Sequence, residues 1–332
     1  MKKFLNSPDR LVDEALAGFV RAHSALVRSV PEQRLCVRAD APVAGKVALV
    51  SGGGSGHEPL HAGFVGPGML DAACLGDVFT SPTVDQVLAA AQSVDGGAGV
   101  LFIVKNYTGD VINFRYAAEL AQDEGIAVDV VIVDDDAATS PDAAAVGRRG
   151  TGATVFVEKI AGALAQGGAA LDDVAAVARK TVERSRSIGV ALTSCTTPMA
   201  GRPTFDLGAD EIEFGVGIHG EAGVARRPHA AAASLVEDLA TVLLAELEPP
   251  AGARLLVLVN GLGGTPAIEL FLLHNEVCEL LEARGLEVCR SLVGNFVTSL
   301  DMAGASISLL LLDDELTRLW DAPATTAALS RT

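Results

Sequence analysis

Short continuous apolar runs alternate along the chain with longer segments in which apolar residues recur every three or four positions. The first pattern predicts buried strands and the second predicts amphipathic helices. Strands that are apolar throughout, with helices between them, are typical of a sheet covered on both faces. We therefore expect an α/β protein. The predicted strands include residues 46–50, 99–104, 127–133, 188–193, 211–216 and 254–260.

Capping residues and glycines mark the predicted helices. Ser7 and Pro8 open the first helix, and Gly125 and Gly285 close two later ones. Residues 51–56, which follow the first long strand, are mostly glycine and are predicted to form a loop. Further helices are predicted at residues 81–94, 110–125, 158–186, 228–247 and 266–284, and a short last helix ends near residue 320.

The strand pattern restarts after the long helical region, which predicts two domains, each with a mixed or mostly parallel sheet and flanking helices. The first α/β domain, residues 1–185, contains the glycine-rich segment, Lys105 and Asp110, and we expect the C-terminal segment to rejoin it. The second α/β domain, residues 186–332, contains His219.

The chain has 332 residues, with 25 Lys and Arg against 42 Asp and Glu, which gives a net charge of −17. This acidic balance argues against binding to nucleic acid or to an anionic membrane. No apolar run reaches the ~18 residues that a membrane span needs, and Asp9 and Arg10 interrupt the N-terminus before a signal sequence develops. Five cysteines without a C-x-x-C pair indicate a reduced, cytoplasmic protein.

Three short motifs match known site patterns but lack the required context. HEPLH at residues 57–61 matches a helical zinc motif, yet Pro59 disfavours a helix through it, so no metal is expected. GVGIHG at residues 215–220 is not followed at once by a helix, and the segment 51–56 lacks the lysine of a phosphate loop. The run Asp134–Asp136 is interpreted as a solvated turn rather than a metal site.

Four polar segments remain, and each follows an apolar strand: residues 51–59, 81–83, 105–110 and 217–221. Open α/β sheets bind ligands at the carboxyl ends of their strands. Glycines beside two of the histidines allow a small ligand to approach the backbone closely. The residues alone therefore predict a pocket for a small, neutral polyhydroxy or carbonyl compound.

The segments SGGGSGHEPLHAGFVGPGMLDAACLGDVFTSPT, KNYTGDVINF and GVGIHGEAG resemble the dihydroxyacetone-binding K subunit family of dihydroxyacetone kinase. The resemblance extends from the first helix to LWDAP near residue 320. It implies two α/β domains, a homodimer, and phosphoryl transfer to a triose whose carbonyl carbon is bonded to a histidine.

The same resemblance assigns the site residues. His219 corresponds to the histidine that forms a hemiaminal with the triose. Asp110 and His57 correspond to the two residues that could accept the proton of the terminal hydroxyl, and the choice between them stays open. The position of Asp110 at a helix start near Lys105 favours ionisation of this carboxyl. The remaining substrate contacts that the resemblance implies are Gly54, Ser55, Gly56 and Lys105.

No nucleotide-binding domain follows the second predicted domain, so we expect this chain to bind no cofactor itself. The expected partner is a helical L-type subunit that holds Mg-ATP, or holds Mg-ADP and is rephosphorylated by a phosphocarrier of the phosphotransferase system. Two alternatives remain. One is a dihydroxyacetone-sensing co-regulator without kinase turnover, and the other is a kinase subunit for a related short ketose or aldose such as a tetrulose.

Overall fold

A computed structural model describes residues 2–139 and 147–332 and divides them into two compact units. The N-terminal unit comprises residues 2–133, 154–181 and 316–332. The C-terminal unit comprises residues 134–139, 147–153 and 182–315. The chain crosses from the N-terminal to the C-terminal unit after residue 181, four residues before the predicted division at residue 185. The short segment that ends at residue 153 belongs to the C-terminal unit, although the sequence placed it in the first domain.

Helices and strands alternate along both units, as predicted for an α/β fold. Within the described residues the α-helices are α1 (Leu11–Ala22), α2 (Val84–Val94), α3 (Thr108–Asp123), α4 (Ala153–Gln166), α5 (Leu171–Glu183), α6 (Ala232–Leu247), α7 (Ala267–Ala283) and α8 (Asp314–Asp321). The strands are β1 (Val27–Val30), β2 (Leu35–Arg38), β3 (Ala48–Ser55), β4 (Ala72–Val78), β5 (Val100–Lys105), β6 (Val128–Val133), β7 (Ser185–Ala191), β8 (Glu211–Phe214), β9 (Ala225–Pro228), β10 (Arg254–Gly261), β11 (Glu287–Gly294), β12 (Gly304–Leu312), β13 (Ala324–Thr325) and β14 (Ser330–Arg331).

The N-terminal unit contains a six-stranded mixed sheet in the order β1-β2-β4-β3-β5-β6. The strands β4, β3, β5 and β6 run parallel, whereas β1 and β2 pair antiparallel at one edge. Helices α2 and α3 pack on one face, where Phe102 of β5 meets Phe114 of α3 edge-on with ring centroids 5.5 Å apart. The alternate residues Leu101 and Ile103 are also fully buried, so both faces of β5 are covered.

The C-terminal unit contains a second six-stranded mixed sheet in the order β11-β10-β12-β7-β8-β9. Only β10 and β11 run parallel in this sheet, and its other neighbours are antiparallel. Helices α6 and α7 share an apolar core with alternate residues of its strands. The predicted fold class, two α/β domains with mixed sheets and flanking helices, is confirmed.

The glycine-rich segment departs from the prediction because it continues strand β3 to Ser55 instead of forming a loop. It pairs in parallel with β4, and Gly52 lies beside Cys74. A Cβ on Gly52 would lie 2.7 Å from the Cys74 carbonyl oxygen, and a Cβ on Gly54 would lie 2.4 Å from the Thr80 nitrogen. Glycine is thus required here because neighbouring backbone packs closely against the strand. The sequence prediction took the same glycines as the sign of a loop.

Two predicted helices have different limits. The region 158–186 forms two helices, α4 and α5, which Gly167 and Gly168 separate. The helix predicted from Pro228 begins at Ala232, because residues up to Pro228 form the edge strand β9.

In the described part of the chain, no helix combines the length and the apolarity that crossing a bilayer requires.

Candidate functional site

The carboxyl ends of β3 and β5, two parallel neighbours, form the centre of the candidate site in the N-terminal unit. Residues 54 and 55 are the last two of β3, and residues 56 and 57 follow it directly. Lys105 is the last residue of β5, and Asp110 lies in the first turn of α3. Parallel strands bring their carboxyl ends to one edge of a sheet. The structure therefore brings together all the predicted site residues of the first domain.

Gly53 provides the space in which Lys105 and Asp110 approach each other. A Cβ on Gly53 would lie 2.5 Å from Lys105 Nζ and 3.7 Å from Asp110 Oδ2. The Lys105 ammonium also donates a hydrogen bond to the Gly52 carbonyl oxygen at 3.1 Å. Lys105 is fully buried and Asp110 is 3% exposed. Because Gly53 has no side chain, the Lys105 ammonium and the Asp110 carboxylate can both lie next to it in the buried site.

Burial controls the proton affinity of both groups. It lowers the pKa of Lys105, while the carboxylates of Asp110 and Glu158 oppose this effect. Burial raises the pKa of Asp110 above its ordinary value, although Lys105 and a hydrogen bond from Ser81 favour the carboxylate. Lys105 favours ionisation of Asp110, as the sequence predicted, but desolvation outweighs this effect and the net shift of the pKa is upward. A carboxylate with a raised pKa is a stronger base.

His57 is fully buried and stacks on Phe79, with ring centroids 5.1 Å apart and planes 19° apart. The preceding backbone is fixed by two side chains. The Ser55 hydroxyl donates to the Gly76 carbonyl oxygen at 2.7 Å, and the Glu58 carboxylate accepts the Gly56 N–H at 3.0 Å. The predicted contact residues at the end of β3 are therefore held rigidly beside His57.

His61 and Glu158 lie next to the site, although the sequence did not assign them to it. His61 contacts Lys105, and Glu158 contacts His61. His61 Nε2 lies 2.6 Å from Lys105 Nζ, and His61 Nδ1 lies 2.6 Å from Glu158 Oε1. The sequence offered His61 only as part of the HEPLH motif, which is not helical here. Nothing in a sequence pattern could pair it with a glutamate 97 positions away.

His219 belongs to the C-terminal unit and is partly exposed. It lies in the segment that follows β8, and its backbone N–H donates to Glu221 Oε2 at 2.8 Å. Arg149 pairs with Glu221 at 3.1 Å and donates to the Gly215 carbonyl oxygen at 2.8 Å. Arg149 thus holds both ends of the segment that carries His219, Gly215 by a hydrogen bond and Glu221 by an ion pair.

Asp135 and Asp136 are buried, so the expectation of a solvated turn at these two residues was wrong. Asp136 is 1% exposed and pairs with Arg149 at 2.6 Å. Asp135 is fully buried and accepts hydrogen bonds from the backbone N–H groups of Thr151 and Ala153. Burial raises the pKa of Asp136 to about 6, which Arg149 opposes.

Within residues 2–139 and 147–332, no cluster of three or more His, Cys, Asp or Glu has the arrangement of a metal site.

The fold and these residues define a member of the Dak1 domain family: the family model matches residues 17–328, and the chain belongs to this family. The chain is 46% identical to the PEP-dependent dihydroxyacetone kinase, dihydroxyacetone-binding subunit DhaK, of Escherichia coli K12. That match covers 99% of this chain and 99% of the relative.

Two solved structures are similar over nearly the whole chain. The dihydroxyacetone kinase of C. freundii superposes with a TM-score of 0.87 at 37% identity, covering 99% of this chain and 60% of that one. The dihydroxyacetone kinase operon co-activator Dha-DhaQ superposes with a TM-score of 0.91 at 33% identity, covering 96% of this chain and 98% of that one. The structures similar to this chain therefore include both a kinase and a protein named as a co-activator.

Proposed function

We propose that this chain is the dihydroxyacetone-binding subunit of a two-component dihydroxyacetone kinase. The observation that carries the proposal is that His57, Lys105 and Asp110 are all buried where the parallel strands β3 and β5 end. The similarity to the E. coli subunit, which extends over 99% of both chains, supports the same assignment. The site offers a base and a cation to one small hydroxylated ligand.

His219 captures the triose as a hemiaminal. The unprotonated nitrogen of the neutral imidazole adds to the ketone carbon, the C=O π bond opens, and the ketone oxygen becomes a hydroxyl. The ring loses the proton on its other nitrogen and the ketone oxygen gains one proton, so that the ring stays neutral and no net proton is taken up or released. Glycerol has no carbonyl group, so this reaction excludes it by chemistry, where shape alone discriminates poorly between small polyols.

Asp110 or His57 then accepts the proton of the terminal hydroxyl while that oxygen attacks the phosphorus atom of the donor, and the product is dihydroxyacetone phosphate. Lys105 and residues 54–56 hold the triose. The donor is Mg-ATP on a helical L-type partner subunit, or the partner's Mg-ADP after rephosphorylation by a phosphocarrier of the phosphotransferase system. A homodimer of this chain is part of the same proposal.

Carbon-13 NMR with [2-¹³C]dihydroxyacetone tests the capture step. With the native chain, the carbonyl resonance should be replaced by a tetrahedral-carbon resonance at stoichiometric protein. The change should be absent in His219→Gln and present in His229→Gln, which alters an exposed histidine of the same unit. If the tetrahedral-carbon resonance is retained in both variants, the assignment of His219 is overturned.

Reconstitution with an L-type subunit of a two-component relative tests the kinase assignment. Dihydroxyacetone phosphate should form only when both chains are present. Supplying Mg-ATP or the phosphocarrier system in separate reactions identifies the donor. If capture by His219 occurs but no donor supports turnover, the kinase assignment fails.

The second candidate function is a dihydroxyacetone-sensing co-activator, which the similarity to Dha-DhaQ favours. A sensor needs the carbonyl trap but has no use for a base, whereas this chain keeps both candidate bases, His57 and Asp110. A related short ketose or aldose, such as a tetrulose, is the alternative substrate. Comparing turnover of dihydroxyacetone and of a tetrulose at equal concentration separates these substrates.

A further inference from the structure

Three buried ionisable side chains form one row of close contacts in the N-terminal unit. Lys105 Nζ lies 2.6 Å from His61 Nε2, and His61 Nδ1 lies 2.6 Å from Glu158 Oε1. None of the three residues is more than 5% exposed. One end of the row, Lys105, belongs to the proposed triose site. The proposed substrate contacts leave His61 and Glu158 without a role.

The row is compatible with two arrangements of its protons. When Lys105 is an ammonium, it donates to His61 Nε2, and the proton on Nδ1 is donated to the Glu158 carboxylate. When Lys105 is an amine, it accepts from Nε2–H, and the protonated Glu158 donates to Nδ1. Conversion breaks the Lys105 N–H and His61 Nδ1–H bonds and forms Nε2–H and Glu158 O–H bonds. The imidazole is neutral, and the net charge is the same, in both arrangements.

The environment brings the two ends of the row toward equal proton affinity. Burial raises the pKa of Glu158 to about 8 and lowers the pKa of Lys105. Burial also holds the pKa of His61 well below its ordinary value, and Lys105 and His57 add to this effect, so the ring stays neutral.

The other groups that face the row come from three elements: Asp110 from α3, His57 from the segment after β3, and Ser51 from β3. The Ser51 hydroxyl donates to the Ile103 carbonyl oxygen at 2.7 Å. Its oxygen, 3.0 Å from His61 Nδ1, can therefore accept a hydrogen bond from the Nδ1–H group of the ring.

We propose that His61 and Glu158 form a proton relay that converts Lys105 from ammonium to amine when Asp110 gains a proton. Both are positioning residues, since they act on the triose site only through Lys105. The proposal rests on the proposed function, because it concerns the step in which the triose hydroxyl loses its proton.

Charge balance supplies the reason for the relay. Before the reaction, the Asp110 carboxylate faces the Lys105 ammonium. After Asp110 is protonated, the buried ammonium keeps as its counter-charge only the Glu158 carboxylate on the far side of His61, which is less favourable. Moving one proton along the row to Glu158 leaves Asp110, Lys105, His61 and Glu158 all neutral. The relay thus lowers the free energy of the site once the proton has been transferred.

The test uses Glu158→Gln, with His61→Gln as a second variant that breaks the row at its centre. Titration of the Lys105 side chain by NMR in the free chain, with the resonance assigned through Lys105→Met, should show a lower pKa for Lys105 in Glu158→Gln than in the native chain. The reason is that a carboxylate that favours the ammonium has been removed. In the reconstituted kinase, kcat should fall about tenfold or more, KM should change little, and the pH profile of kcat should shift.

Lys159→Met is the matched control, because Lys159 is also fully buried in α4 but donates to the Leu319 carbonyl oxygen instead of joining the row. This variant should lose stability and keep the native pH profile. The relay is overturned if both row variants retain the native Lys105 titration and the native pH profile. The Lys105 titration needs no substrate, so it reports on the relay even if the native chain captures no triose, the result that would defeat the proposed function.

Discussion

Lys105 and Asp110 show how strongly burial governs single groups in this protein. Both lie at the carboxyl end of the parallel strands with almost no exposure, and desolvation dominates the proton affinity of each. A carboxylate with a raised pKa beside a lysine with a lowered pKa is a pair suited to proton transfer. The proposed chemistry at this site therefore depends on exclusion of water as much as on the residues themselves.

Replacing Asp110 with Asn tests its role as the base. We expect kcat of the reconstituted kinase to fall by about 10²- to 10⁴-fold, while capture of the triose by His219 is retained. In the native enzyme, kcat should decrease as the pH falls through the raised pKa of Asp110, because only the carboxylate accepts a proton. Asp123→Asn, at the exposed end of the same helix, is the control. Unchanged turnover in Asp110→Asn would assign the proton to His57.

The residue types of the site were predictable from sequence, but their contacts were only partly so. Lys105 and Asp110 follow an apolar strand and are five positions apart, which indicates a shared strand end. The contact of His61 with Glu158 depends on where α4 lies in the fold. The direction of the pKa shift of Asp110 also required its burial, which sequence position does not specify.

At the scale of single elements, strand β3 has an unusual composition because its neighbours approach its backbone. Its glycines face the backbone of residues 74–80 and the side chain of Lys105. Sequence rules associate such a run with a turn. The strand assignment required knowledge of the partner strand β4, which is why this element was predicted as a loop.

Gly54→Ala measures how tightly β3 is packed. The new methyl group would lie 2.6 Å from the Phe79 Cα atom, a backbone atom that cannot rotate away. We expect a loss of about 1–3 kcal/mol in the free energy of unfolding. Gly18→Ala in the exposed part of α1 meets no atom within 4 Å and should gain about 0.5–1 kcal/mol. Chemical denaturation of both variants gives the comparison, and equal stability would refute the close packing.

The segment that carries His219 depends on Glu221. In Glu221→Gln, the ion pair with Arg149 is lost and the hydrogen bond from the His219 N–H is weakened. We expect the affinity for dihydroxyacetone to fall roughly fivefold, which corresponds to about 1 kcal/mol. Glu211→Gln is the control, since Glu211 accepts the Gly208 N–H in an exposed turn of the same unit. Equal affinities in the two variants, measured by NMR titration, would remove Glu221 from this role.

At the scale of the whole molecule, the chain passes repeatedly between its two units, so neither unit is one continuous stretch. The apolar pattern predicted two α/β units correctly in class, because each builds its own sheet. A single boundary could not describe this arrangement, since residues 134–139, 147–153 and 316–332 are segments too short to carry a pattern that identifies their unit. Only the folded contacts assign them.

The buried carboxyl groups make the stability of the molecule depend on pH. Glu158 has a folded-state pKa of about 8, against about 4.3 for an unfolded chain. Its contribution is fully present below the unfolded value and is lost as the pH rises through the folded value. We expect the free energy of unfolding, measured by urea denaturation, to decrease from about pH 5 to pH 8. The decrease should be smaller in Glu158→Gln, and an identical pH dependence would contradict the raised pKa.

The most direct test of the account is a crystal structure of the chain with dihydroxyacetone bound. The proposed function predicts continuous electron density between an imidazole nitrogen of His219 and the central carbon of the triose. It also predicts that a terminal hydroxyl of this triose lies within hydrogen-bond distance of Asp110 or His57. A triose bonded to another residue, or held without a bond to His219, would contradict it.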